Sequence, residues 1–174
     1  MGKKNLRLIA STAMQQRLTQ KVFLWSFCGL YCGAHHLALA EDNQYRRALP
    51  RVELTPGEVL DTPLKTICVP GYTKTVRNVP EKKKREVFTR YGVVKTPSYK
   101  YEVDHFIPLC LGGSNDIKNL WPQPYQLTWS ALKKDKLEWK LCRMICSGEI
   151  SVEEAREAIT ENWIEGYIKY VEGK

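Results

Sequence analysis

The chain has 174 residues, 43% of them apolar and 26% charged, enough for about one domain with its own core. Its formal charge of +8 suggests a surface for polyanions, yet five of the 27 basic residues (Lys3, Lys4, Arg7, Arg17, Lys21) precede the first acidic residue, Glu41. Without that leader the balance is 22 basic to 19 acidic residues, or +3, which excludes binding driven by global charge and leaves phosphates to local patches.

The leader itself has a readable order. The basic residues are followed by an apolar run from Val22 to Gly33 and then by Ala38-Leu39-Ala40, an A-x-A cleavage pattern. The run is too short and interrupted for a comfortable membrane span. Residues 1–40 are therefore expected to be a signal peptide, the product to be periplasmic or secreted, and no membrane span to remain after cleavage. His35, His36, Cys28 and Cys32 would leave with it. What remains is a single histidine, His105, and four cysteines, Cys68, Cys110, Cys142 and Cys146. A lone imidazole excludes a His-rich zinc site, and no C-x-x-C spacing exists. An even cysteine count in an exported chain favours disulfides, with three possible pairings.

Residues 41–65 are polar and carry Pro50, Pro56 and Pro63, so they read as an irregular mature N-terminus. Thr66 to Thr75 contains Cys68, Pro70 and Gly71 and reads as an extended or looped segment. Pro80 suits a helix start, and Glu81 to Tyr91 is expected as a helix closed by Gly92. This helix holds the densest basic cluster, Lys82-Lys83-Lys84-Arg85, with Arg77 just ahead of it. Such a cluster is either a solvated face or a contact for a phosphate backbone. Val93 to Lys100 reads as a loop.

Tyr101 to His105 reads as a short strand delivering Asp104 and His105 at its end. Pro108 stops regular pairing. Gly112-Gly113 and then Ser114-Asn115-Asp116 are expected to supply left-handed and side-chain-capped turns that reverse the chain, so that Asn119 to Trp121 returns as a second strand. Asp104 is a hard oxygen ligand suited to a divalent cation, and His105 can take a proton near neutral pH. As strand neighbours the two should point to opposite sides. Asn119 is placed to tie the loop down through its backbone. Apolar residues between Gln126 and Met144 follow a roughly helical spacing, Ser147-Gly148 ends that helix, and Ser151 with Glu154 forms a capping box for the next. The last stripe, Val152, Ala155, Ile159, Trp163, Tyr167 and Tyr170, reads as a packing face.

The pattern D-H-x-I-P-L-x-L-G-G-x-N-D-x-x-N-L-W-P, Asp104 to Pro122, resembles the HNH (His-Me finger, ββα-metal) nucleases. The chain resembles more closely a group of small secreted bacterial HNH-type proteins, through C-x-P-G-Y-T-x-x-V-R (Cys68 to Arg77), K-D-x-x-E (Lys134, Asp135, Glu138), and C-x-G (Cys146 to Gly148). The resemblance spans about Thr66 to Tyr170 and implies an α+β fold in residues 66–174, a ββα-metal finger embedded among helices and stapled by disulfides. It implies a metal-dependent endonuclease acting on nucleic acid, DNA above all, with one divalent ion (Mg, Mn or Zn) on Asp104, His105 activating water and Asn119 orienting the loop. It also implies a Cys68–Cys146 bond, leaving Cys110 and Cys142, which lie outside the pattern, as the other pair. Arg77 and Lys82 to Arg85 are the expected nucleic-acid contacts. One position departs from the pattern: the histidine expected in A-H-x-K-D, the usual third metal-site residue, is Leu132. An alternative therefore stands beside the nuclease, a degenerate HNH fold that binds nucleic acid or another partner without cutting. A third is a disulfide-stapled envelope protein that keeps the motif for its fold.

Overall fold

The computed structural model describes residues 43–93 and 100–174. The expected signal peptide, Glu41 and Asp42, and most of the Val93–Lys100 loop lie outside the described residues. A helical turn over residues 43–47 leads into an irregular stretch, as its prolines dictate. That stretch is nonetheless packed: Ala48 and Thr55 are fully buried, and Thr55 Oγ1 donates to the Leu120 carbonyl at 3.0 Å. Two short helices follow, α1 (Leu64–Ile67) and α2 (Tyr72–Val76), then α3 (Glu81–Arg90), which begins after Pro80 and gives way to Gly92 at a φ of 69°.

The sheet has two strands, β1 (Tyr101–His105) and β2 (Leu120–Pro124), paired antiparallel with Asp104 opposite Trp121 and His105 opposite Leu120. With two strands among the described residues each is an edge, so Pro122 and Pro124 can occupy β2 without breaking a central ladder. Next come α4 (Ala131–Ser147), α5 (Val152–Thr160) and α6 (Trp163–Tyr167), the last running into a π-helical turn over Ile168–Glu172. The elements are thus helical with a small antiparallel sheet, an α+β arrangement. Among the described residues no helix is long and apolar enough to cross a membrane.

The core lies where α4 crosses α5 and α6. Leu137, Leu141 and Ile145 recur every fourth residue on one side of α4 and are essentially buried. They meet Ile159, Trp163 and Ile164 in one cluster. Burial of each such side chain is worth roughly 1.5–3 kcal/mol, so Leu141→Ala should cost about 2–5 kcal/mol once the cavity is counted. Trp163 is locked by its indole N–H donating to the Ala48 carbonyl at 2.8 Å and by Trp129 standing edge-on at 6.3 Å. α4 starts at Ala131, four residues later than its apolar spacing begins at Leu127, because Ser130 at the N-cap position is extended (φ −89°, ψ 167°). Ser151 Oγ accepts the Glu154 N–H at 3.0 Å, the expected cap of α5.

Two disulfides close the fold, Cys68–Cys146 and Cys110–Cys142. Both end on the last turns of α4. The first fastens the segment after α1, and the second fastens the 3-10 turn over Leu109–Leu111.

Candidate functional site

The loop between the strands is built on one side chain. Asn119 is fully buried; its Oδ1 accepts the Ile107 N–H, and its Nδ2 donates to the carbonyls of Ile107 and Ser114, all at 2.9 Å. Its sequence-derived role of tying the loop is therefore what it does. The two glycines divide the turn differently from expectation. Gly112 alone is left-handed, at a φ of 79°. Gly113 is needed for space: a Cβ there would lie 1.8 Å from the Ile107 carbonyl oxygen. Ser114 Oγ accepts the Asp116 N–H, and Asp116 Oδ1 accepts the Lys118 N–H, completing the side-chain-capped reversal.

Asp104 and His105 do point to different partners, as strand alternation requires. Asp104 faces α4. There Lys134, fully buried, donates from Nζ to Asp104 Oδ2 at 2.7 Å, to the His105 carbonyl at 2.8 Å, and to Glu138 Oε1. Burial alone would lower the Lys134 pKa, but the charges of Asp104 and then Glu138 outweigh it and leave it raised, so the ammonium stays charged. One ammonium cannot fully compensate two carboxylates. Glu138 carries the surplus: burial pushes its pKa up, and the neighbouring Asp104 charge adds to that, against the pull of Lys134. Asp135 is exposed on the same turn, and its pKa is raised first by desolvation and then by Asp104.

His105 faces the loop and is 2% exposed. Its Nε2 lies 3.0 Å from Asn115 Oδ1. That oxygen also receives the Asn78 N–H at 3.0 Å, while Asn115 Nδ2 donates to the Val76 carbonyl at 2.8 Å. The amide orientation is thereby settled, Oδ1 is an acceptor, and Nε2 must carry the proton. Burial, more than any other cause, lowers the His105 pKa and keeps the ring neutral. Nδ1 is then a bare acceptor, buried and without a protein partner. Asn115 was legible in the sequence only as a turn residue. Its role as the clamp of the imidazole depends on α2 folding back to present Val76 and Asn78.

The basic residues separate. Lys83 reaches the Asn115 carbonyl at 2.7 Å and so braces the histidine clamp. Lys82 is exposed on α3. Lys84, which pairs with Glu81 at 2.7 Å, joins Arg85 and Arg77 along a groove of about 480 Å³ between α3 and β1, with Phe88, Tyr101 and Glu102 also in its walls.

No family model, curated protein or solved structure matches the chain.

The metal implied by the resemblance can be tested against these donors. Asp104 Oδ2 is already engaged by an internal ammonium, and among the described residues no group of three His, Cys, Asp or Glu side chains could hold a metal ion. Leu132, where the third metal-site residue is expected, is 60% exposed and lies roughly 200° around the first turn of α4 from Lys134, so it neither joins the core nor shares the Lys134 side. As arranged, the donor set does not fit a divalent ion at Asp104. The face of the sheet that Asp104 shares with Trp121 is otherwise polar and poorly paired: Glu102 Oε1, Trp121 Nε1 and both amide atoms of Gln123 are buried without a protein partner.

Proposed function

We propose that the chain is an exported HNH-type protein that binds the phosphodiester backbone of nucleic acid, DNA to be tested first, without cutting it. The observation carrying this reading is the groove in which Arg77, Lys84 and Arg85 converge beside β1. Guanidinium groups match phosphate oxygens in paired geometry, and Arg77 and Arg85, beside a Lys84 that is shared with Glu81, offer a local cationic contact that a net charge of only +3 does not. Phe88 and Tyr101 line the same groove, and aromatic rings are the groups on which unstacked bases stack. The commitment of Asp104 to Lys134 argues against a metal-assisted step.

The test is binding of labelled single- and double-stranded oligonucleotides by the oxidised protein at several salt concentrations. Affinity should fall steeply with salt, and Arg77→Glu with Arg85→Glu should abolish it while leaving the fold intact. Binding that is salt-independent, or unchanged in the double variant, refutes the reading.

A second reading, hydrolysis, is favoured by the state of His105. A neutral imidazole, held by one nitrogen with the other bare, is what a general base requires. It would accept a proton from water as the water oxygen bonds phosphorus and the bond to the leaving sugar oxygen breaks. Nicking of supercoiled plasmid by the wild type, lost in His105→Ala, would establish this reading in place of the first.

A further inference from the structure

Lys134 is an unusual residue for its place. Lysine is almost never fully buried unless paired, yet here the ammonium is entirely enclosed and all three of its protons are directed at oxygens of Asp104, His105 and Glu138. Two of these oxygens belong to carboxylates and one is a backbone carbonyl. That is the donor chemistry by which a protein holds a hard cation such as Ca²⁺ or Mn²⁺. The ammonium nitrogen sits at the convergence point, 2.7–2.8 Å from Asp104 Oδ2 and the His105 carbonyl oxygen. A second cation on the same oxygens would have to stand against it at short range.

We infer that Lys134 is the resident cation of this site: its tethered ammonium holds, among Asp104, Glu138 and the His105 carbonyl, the place a divalent ion would otherwise take. The wild-type protein then takes no divalent ion at Asp104, and removing the ammonium uncovers a latent oxygen site. Because Glu138 follows Lys134 by one helical turn, the lysine and its second carboxylate are supplied together by α4, and Asp104 docks onto the pair. The inference does not rest on nucleic-acid binding, because its readout is cation occupancy.

The experiment titrates Mn²⁺ into the oxidised protein and follows paramagnetic broadening of the His105 imidazole and amide signals, with Ca²⁺ thermal shifts in parallel. Wild type should show no saturable broadening at His105 and no Ca²⁺ stabilisation. Lys134→Ala should gain both, with Mn²⁺ affinity at least tenfold above any wild-type background, and Lys134→Ala combined with Asp104→Asn should lose them again. Saturable broadening in wild type that Asp104→Asn removes would overturn the proposal. So would a folded Lys134→Ala that gains nothing. Should Lys134→Ala fail to fold, the wild-type titration with its Asp104→Asn control decides alone. Loss of oligonucleotide binding in the groove variants would leave every arm of this test unchanged.

Discussion

Asn119 grips Ile107 at both ends of one residue, accepting its N–H and donating to its carbonyl at 2.9 Å each, as a neighbouring strand would. A side chain thus does the work of a backbone ladder where the chain, turning through Pro108, has no strand to pair with. Asn119→Ala leaves a buried N–H and two carbonyls without that partner, and each unsatisfied buried group costs about 1–3 kcal/mol. A loss of at least about 3 kcal/mol in urea unfolding is expected. Asn119→Asp should cost more, because an acceptor would then face the Ile107 and Ser114 carbonyls.

The paired glycines should respond unequally. At Gly112 an added Cβ meets the Arg156 guanidinium at 2.8 Å, a flexible group, and the left-handed backbone adds about 1–2 kcal/mol. At Gly113 it meets the Ile107 carbonyl oxygen at 1.8 Å, and backbone must move. Gly113→Ala should lower the melting temperature well beyond Gly112→Ala. Equal effects would show that the loop yields where the packing says it cannot.

The neutral His105 sets an acid limit. Its folded pKa lies below the ordinary imidazole value of 6.5, so the unfolded chain binds the extra proton first. Stability from this group is present above 6.5 and is lost as the pH falls through the folded pKa. An NMR titration of the imidazole should give a midpoint below 6.5, and His105→Gln should flatten the acid side of the stability profile.

Glu138 acts in the opposite sense. Its carboxyl is raised above its ordinary 4.5, chiefly by burial, so the folded chain holds the proton longer than the unfolded one. Its contribution is present below 4.5 and declines as the pH rises above it. Glu138→Gln keeps an acceptor for Lys134 and should remove this decline. A denaturation series across pH, wild type against variant, measures the difference directly.

The disulfides span unequal loops, 78 residues for Cys68–Cys146 and 32 for Cys110–Cys142. In the chain-entropy model these correspond to about 4.5 and about 3.7 kcal/mol. Replacing the first pair by serines should therefore destabilise more than replacing the second. The reverse order would indicate that residual structure in the unfolded chain, rather than loop length, governs the effect.

Much of the scaffold was legible because it depends on local rules. The β1–β2 hairpin follows from alternation and turn residues, and the α5 cap follows from Ser151 and Glu154. The Cys68–Cys146 bond agrees with the pairing that the resemblance implied, and Cys110–Cys142 is the pair left over by elimination. What could not be read depends on long-range burial. Leu127 and Trp129 extend the apolar spacing of α4 backwards, and both are partly buried, but the backbone beneath them is not helical. Lys134 looks like any surface lysine until β1 is laid against α4. The lead-in from residue 43 has no periodicity to announce that Ala48 and Thr55 end up enclosed.

Cys142 and Cys146 stand one turn apart on α4, and each is bonded to a different distant segment. The same helix carries Glu138 about one turn and Lys134 about two turns before Cys142, on the side that meets Asp104. Oxidation at one end therefore steadies the lever whose other end seats the buried charge. A chain held in a reducing compartment would lack both bolts, and its site would be assembled only loosely. With the four thiols reduced, α4 would keep only its packing, and the seating of Lys134 against Asp104 would lose the support of both cross-links.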